Sequence, residues 1–361
     1  MNLILAVVCF LLSMTSFVAM AADPISVQPD GTVLTEDTTW RGSIYVKGSV
    51  VVAPQATLRI DPGTIVRFST AFGTSITSQL VIQGRIQAIG TSEQPIVLTS
   101  DSSRPQRGAW GGVVLVSTEK KNLIEQCRIE NADTGLALFF SSLSLKMVSI
   151  VQTRTAVKVR DSLLQITGGT LSDSDIGLES YDSELEARDI IVSSCRKGCL
   201  LHRSSVAFSS VSILKNSFVG LEAEECRLKI AAGTVADNAL GATFIGGEGQ
   251  ILTTRFMRNS GTALQLSTAR LKIQRCRFDD NRQDAVRLED GRALLFNNSF
   301  SSNGGYNLYN AGSEEVNARL NWWGSAAKPV ITSKIFDSAS IPATGRVLLF
   351  PWLLEKPSLD P

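Results

Sequence analysis

Val235-Ala236-Asp237-Asn238, Phe256-Met257-Arg258-Asn259, Phe278-Asp279-Asp280-Asn281 and Phe300-Ser301-Ser302-Asn303 are four settings of one phrase, a large apolar residue followed three positions later by asparagine. They recur every 21–22 residues. Moving outward, the same beat continues upstream with smaller polar partners: Ile129/Ala132, Ile150/Thr153, Leu171/Ser174, Val192/Cys195 and Ile213/Asn216. A fixed period of this size marks stacked coils, each one a supersecondary unit that cannot bury its own apolar face alone. From about 122 to 312 the chain therefore reads as nine coils of an all-β parallel solenoid. Irregular segments cap its two ends.

Within each coil the residues alternate. After the polar turn, the first inward positions are Leu136, Val157, Leu178, Cys199, Leu221, Ala242, Leu264, Val286 and Leu308. The second set is Leu138, Val159, Ser180, Leu201, Ala223, Phe244, Leu266, Leu288 and Asn310. Period-2 alternation puts both sets on one side of a strand. Leu143/Leu145, Leu164/Ile166, Leu185/Ala187, Val206/Phe208, Leu228/Ile230 and Leu271/Ile273 repeat the pattern for a second strand. The asparagines fall at one turn, where this residue tolerates left-handed backbone and bonds along a stack. On this register Leu178→Asp or Leu264→Asp buries an unpaired charge and is expected to unfold or strongly destabilise the protein, whereas Glu179→Ala is expected to be nearly silent for folding.

Bulk numbers bound the function. The 361 residues carry 35 Lys+Arg against 34 Asp+Glu, and nucleic-acid binding is not expected from so balanced a charge. Ile4–Val18 is mostly apolar and Ala19-Met20-Ala21 is a small-x-small cleavage site, so residues 1–22 read as a signal peptide, although no Lys or Arg precedes the apolar run. No later stretch is apolar and long enough to span a bilayer. The expectation is an exported protein, periplasmic, outer-surface or extracellular. Of its six cysteines, Cys9 lies in the leader. The other five, Cys127, Cys195, Cys199, Cys226 and Cys276, are an odd number without a framework spacing, and the repeat places most of them as small buried packing residues.

Residues 23–121 carry short strands such as Ser43–Val46, Val50–Val52, Thr57–Ile60 and Thr64–Phe68, parted by turns at Lys47-Gly48-Ser49 and Asp61-Pro62-Gly63. They read as an N-terminal cap and the first, less regular coils. Residues 313–361 break the period with Asn321-Trp322-Trp323-Gly324 and Phe350-Pro351-Trp352, aromatics suited to closing the last coil. The entry run 48–64, its continuation through 80–84 and Trp110-Gly111-Gly112, the coil repeat, and the closing Asn321–Gly324 together resemble bacterial right-handed parallel β-helix proteins of the pectin-lyase-like superfamily. The resemblance spans nearly all of the chain after the leader. It implies the architecture, on which lyases, hydrolases, epimerases, adhesins and proteins of no known chemistry are built, so function has to come from a site.

The outward positions of the best-defined strand give that site its candidates: Lys158, Arg160, Glu179, Tyr181, His202, Glu222 and Glu224 over about four coils, with Arg287 further along the same column. Charged groups beside aromatics suit an extended polysaccharide; the plainer reading is a solvated face whose charges pair across coils. His202 is the only histidine. Cys199 points inward and His202 outward, so no zinc site forms from them, and one His with five Met gives copper little support. No metal or cofactor is expected. The Gly-His-Gly and Arg-Ile-Lys motifs of polygalacturonase-like hydrolases are missing. Asp279-Asp280 is a turn pair whose side chains diverge, and Asp173 and Asp175 flank the polar turn. The expectation is a non-catalytic structural or binding module of the cell envelope whose partner is a glycan or another envelope protein. The alternative is a carbohydrate-active enzyme, lyase or hydrolase, working on the same face.

Overall fold

The computed structural model describes residues 25–70, 78–118 and 120–358. The leader expected at 1–22 lies outside them. The chain winds through about 13 turns of parallel β-structure. Strands gather into three ladders. The first runs from Thr32–Leu34 to Ile335–Phe336 and forms a 14-stranded sheet. The second runs from Thr38–Trp40 to Val347–Leu348, and the third from Ser26–Gln28 to Ser299–Ser301. These last two count as one 25-stranded sheet because Ser142–Val151 and Leu163–Ser172 run unbroken through the corner between them. Among the described residues one α-helix occurs, Lys328–Thr332.

The register follows the periodic reading residue for residue. Leu136, Val157, Leu178, Cys199, Leu221, Ala242, Leu264, Val286 and Leu308 pair in succession up the first ladder. All nine are buried. Their inward neighbours and the apolar residues of the other ladders close one continuous core, so each coil gains its stability from the two it touches. From Gln126 to Ser302 the corners are turned by residues in the left-handed region, for example Asp182 (φ 48°), Arg203 (φ 44°), Asp237 (φ 60°) and Arg258 (φ 51°). A non-glycine residue there costs about 1–2 kcal/mol. Two of these corners offset it with a fork between coils: Arg203 donates to both Asp182 oxygens at 2.7 Å, and Arg258 to both Asp237 oxygens at 2.8 Å.

At the turn from the third ladder into the first, the asparagines form a hydrogen-bonded file. The Oδ1 of Asn238 accepts the backbone N–H and the Nδ2 of Asn216, both at 2.9 Å. Asn259, Asn281 and Asn303 repeat this one coil further each time. Cys195 enters the same file through its N–H, which donates to Asn216. Beneath it Phe256, Phe278, Phe300 and Trp323 stack face to face, with centroids 4.6–5.0 Å apart. Trp323 thus covers the last ring and is buried, whereas Trp322 is half-buried. Two further files accompany these. Asn298 and Asn321 bond alike at the corner into the third ladder. Ser141, Ser162, Ser183 and Ser204 do so at the corner leaving the first.

All five cysteines of the described residues are free and buried. Burial pushes the Cys127 and Cys276 thiols up to about 12 and that of Cys195 up to about 11, and raises Cys199 and Cys226 as well. They are packing residues with little thiolate character at neutral pH.

Candidate functional site

Period-2 alternation on the first ladder turns a second set of side chains away from the core. Parallel register then sets them directly above one another: Lys158 beside Glu179, and Arg160, Tyr181, His202 and Glu224 in one column. Six of the eight candidates meet in one network. Lys158 Nζ lies 3.1 Å from a Glu179 carboxylate oxygen. The Tyr181 hydroxyl donates to the other Glu179 oxygen at 3.0 Å. The rings of Tyr181 and His202 stack with centroids 4.7 Å apart and planes 4° from parallel. The Arg160 guanidinium lies 5.4 Å from the Tyr181 centroid, and His202 Nδ1 is 3.0 Å from Glu224. Burial, then the negative charge of Glu179, push the Tyr181 phenol above its ordinary value.

Glu222 and Arg287 stand apart from this cluster. Leu200, only 6% exposed, occupies the rung between Glu179 and Glu222, and Glu222 turns to Lys197 at 3.7 Å. Arg287 lies three coils beyond Glu222, past Thr243 and Gln265. It bonds Asp284 at 3.2 Å and Glu289 at 2.9 Å and covers Tyr309, whose ring stacks on Phe336. The hydrogen bond from Arg287 holds the Glu289 carboxyl below its usual range.

Two features differ from the sequence expectation. Glu179 is 8% exposed, so it is a buried member of a polar cluster and its removal is no longer expected to be silent. The aromatic rings stack along the solenoid axis, and their faces are taken by Arg160 and by each other. They present edges outward, which suits hydrogen bonding to a glycan hydroxyl better than stacking under a sugar ring. Lys197, Asp284 and Glu289 complete the ion pairs; Glu289 falls on the outward period of Arg160, Tyr181, His202 and Glu224, whereas Lys197 lies in a column with the apolar Ile176 and Val219 and carries no such signal. Residues 101–111 lie along the corner that leads into this face: Gly108 and Ala109 donate to Ala132 and Asn131, and Arg107 reaches Asp175 at 2.8 Å.

The remaining acidic candidates stay separate. Asp173 and Asp280 are left-handed corner residues. Asp279 is half-buried at the end of a third-ladder strand, where burial raises its carboxyl.

Residues 31–137 match the family model of the pectate-lyase-like β-helix domain, and residues 175–322 that of the right-handed β-helix region. No curated protein matches the sequence. Among solved structures, a point mutant of the periplasmic alginate epimerase AlgG aligns over 88% of this chain and 78% of its own, at 13% identity and a TM-score of 0.47. The A-module of the Azotobacter vinelandii mannuronan C-5 epimerase AlgE4 aligns over 92% and 91%, at 10% identity and a TM-score of 0.30. No residue role transfers from either.

Proposed function

Because the chain is a right-handed parallel β-helix of the pectin-lyase-like superfamily, its fold leaves the chemistry open, and we propose that it is a non-catalytic binding module of the cell envelope that holds a glycan on the outer face of its first ladder. One observation carries this reading. Each carboxylate of that face is committed to its own partner: Glu179 to Lys158 and Tyr181, Glu222 to Lys197, Glu224 to His202, Glu289 to Arg287. Paired acid and base work needs carboxylates that face a bond from two sides and are free to exchange protons. Rigid, mutually bonded groups instead offer a pre-formed row of donors and acceptors, which binds at little ordering cost. Export rests on the leader-like segment at the N-terminus. Among the described residues no helix is long and apolar enough to cross a membrane.

The alternative, a polysaccharide lyase or glycoside hydrolase on the same face, draws on the Lys158–Glu179–Tyr181 cluster, which brings a cation, a carboxylate and a phenol together. A panel of neutral and acidic polysaccharides separates the two. Expected are retention on immobilised glycan and no new reducing ends, unsaturated products or altered sugar stereochemistry. Turnover abolished by Glu179→Gln or Glu222→Gln would falsify the binding reading in favour of the enzyme.

A further inference from the structure

The second ladder ends on Val347–Leu348, which pairs on one side only, Val347 with Val316 and Leu348 with Asn317. A cavity of about 800 Å³ lies there, lined by five consecutive residues, Arg346 to Phe350, together with Ile335, Asp337 and the helix residues Lys328 and Thr332. Inward and outward residues of one strand line the same cavity when it runs along the strand's edge. Toward the tube, the carbonyls of Arg346 and Leu348 accept from Val316 and Ala318. The polar groups of Val347 and Leu349 therefore turn the other way, into the cavity. Asp337 accepts the Val347 N–H at 2.9 Å, while the Val347 carbonyl and the Leu349 N–H have no partner among the described residues. Three cations line the cavity, Arg319, Lys328 and Arg346, and none of them is in an ion pair among the described residues. Arg319 donates its Nε to the Phe350 carbonyl at 3.1 Å. The one carboxylate, Asp337, is buried and committed to the N–H groups of Ala339 and Val347. Neither Glu314, which Arg292 holds, nor Glu315 lines the cavity. The chain beyond does not cover it: Leu353 donates to Asn321 and Lys356 acts on the Asp279 carboxyl, so this segment runs back along the third ladder.

We infer that this edge receives an extended acidic segment of a partner protein as one further parallel strand, with apolar side chains turned in over Ile335, Val347 and Leu349 and carboxylates on the alternate positions reaching Arg319, Lys328 and Arg346. One residue of a parallel strand takes both free backbone groups at once, its N–H on the Val347 carbonyl and its carbonyl on the Leu349 N–H. An antiparallel strand needs the Val347 N–H, which Asp337 occupies. Charge complementarity makes the segment acidic, since the three cations stand against a single carboxylate that is already bonded. The backbone makes it a peptide, because an anionic lipid meets the cations but its acyl chain has nothing to offer the Val347 carbonyl and the Leu349 N–H. Phe350, 73% exposed at the same cavity, adds apolar area for such a strand to cover.

The test is titration of the full-length protein at low salt with the end-blocked peptide Glu-Val-Glu-Val-Glu-Val. Beside it run Lys-Val-Lys-Val-Lys-Val, the acidic peptide N-methylated at its glutamates, and phosphatidylglycerol vesicles. N-methylation keeps the side chains and removes the N–H that the Val347 carbonyl accepts. The variant Lys328→Glu/Arg346→Glu is compared with Lys47→Glu/Lys121→Glu, which changes net charge equally on exposed residues away from the cavity. Expected are binding of the acidic peptide alone, slowed hydrogen exchange of the Leu349 amide when it is bound, a loss of at least about tenfold in the first variant and little change in the second. Thermal melts of both variants check that the fold is intact. Five results would each overturn the inference: no binding of the acidic peptide, equal binding of the lysine peptide or of the N-methylated one, unchanged exchange at Leu349, equal effects of the two variants, or vesicle binding that Lys328→Glu/Arg346→Glu abolishes. Loss of glycan binding on substitution at Arg160 or Tyr181 bears only on the first-ladder proposal.

Discussion

At the scale of the residue, Glu179 shows how an outward position becomes interior. A strand's outer face is solvated only if its neighbours are short or splayed, and here Lys158 and Tyr181 both fold over the carboxylate. Glu179→Ala orphans a half-buried phenol and releases a lysine. A loss of about 1–2 kcal/mol is expected in urea melts, with Glu179→Gln recovering part of it through the tyrosine bond. If Glu179→Ala matches the parent protein, the cluster contributes nothing to stability. Asp279 carries the opposite sign. Burial raises its carboxyl, and its Oδ1 is buried without a partner. The folded chain therefore takes the proton at a higher pH than the unfolded chain does. The stability this contributes is complete below the unfolded value, near pH 4, and is lost as pH rises through the folded value. Asp279→Asn is expected to raise the melting temperature at pH 7, with the gain fading on acidification to pH 3. A gain that persists at pH 3 contradicts this account.

At the scale of the element, the files of hydrogen bonds hold successive coils in register. Asn259 accepts from Asn238 twice, and its Nδ2 donates to Val235 and Asn281. Asn259→Ala leaves several buried groups unpaired and is expected to cost about 3 kcal/mol or more. Asn259→Ser, which keeps one acceptor as Ser174 does beside Thr153, is expected to cost less. Chemical denaturation of the two variants measures both, and equal costs would remove the file from the account of stability. Much of this was legible beforehand. The Asn216–Asn303 file and both inward columns follow from period alone, since a solenoid repeats one environment once per coil. The serine file at 141, 162, 183 and 204 keeps a 21-residue period, but serine is common in any turn and carries little signal singly. The candidate face was legible as a set of positions. Which residues it unites was not, for side-chain reach decides that: Lys197 turns to Glu222 and Arg287 gathers its own cluster, while Leu200 separates the two glutamates.

At the scale of the whole molecule, strand pairing joins only neighbours one coil away. The regular coils therefore transmit no long-range packing between the ends, and stability is a sum over adjacent interfaces. Ring stacking raises that sum toward the C-terminal end, where Phe256, Phe278, Phe300 and Trp323 form one pile closed by the terminal cap. Truncation after residue 312 uncovers this pile and the last strands of every ladder. Such a fragment is expected to aggregate or melt well below the full chain in light scattering and thermal scans, whereas an equally soluble and stable fragment would deny the cap its role.

The Asn259-to-Asn281 step of 22 residues has a consequence for size. Excising residues 260–281 joins two equivalent points, so Asn259 takes the place of Asn281 against Asn303. Such a protein shortens by one rung, about 4.8 Å, and keeps its cross-section. Length in this molecule behaves like the count of bricks in a column, open to being reset by duplication or loss of single courses, and with it the span of any polymer laid along the outside.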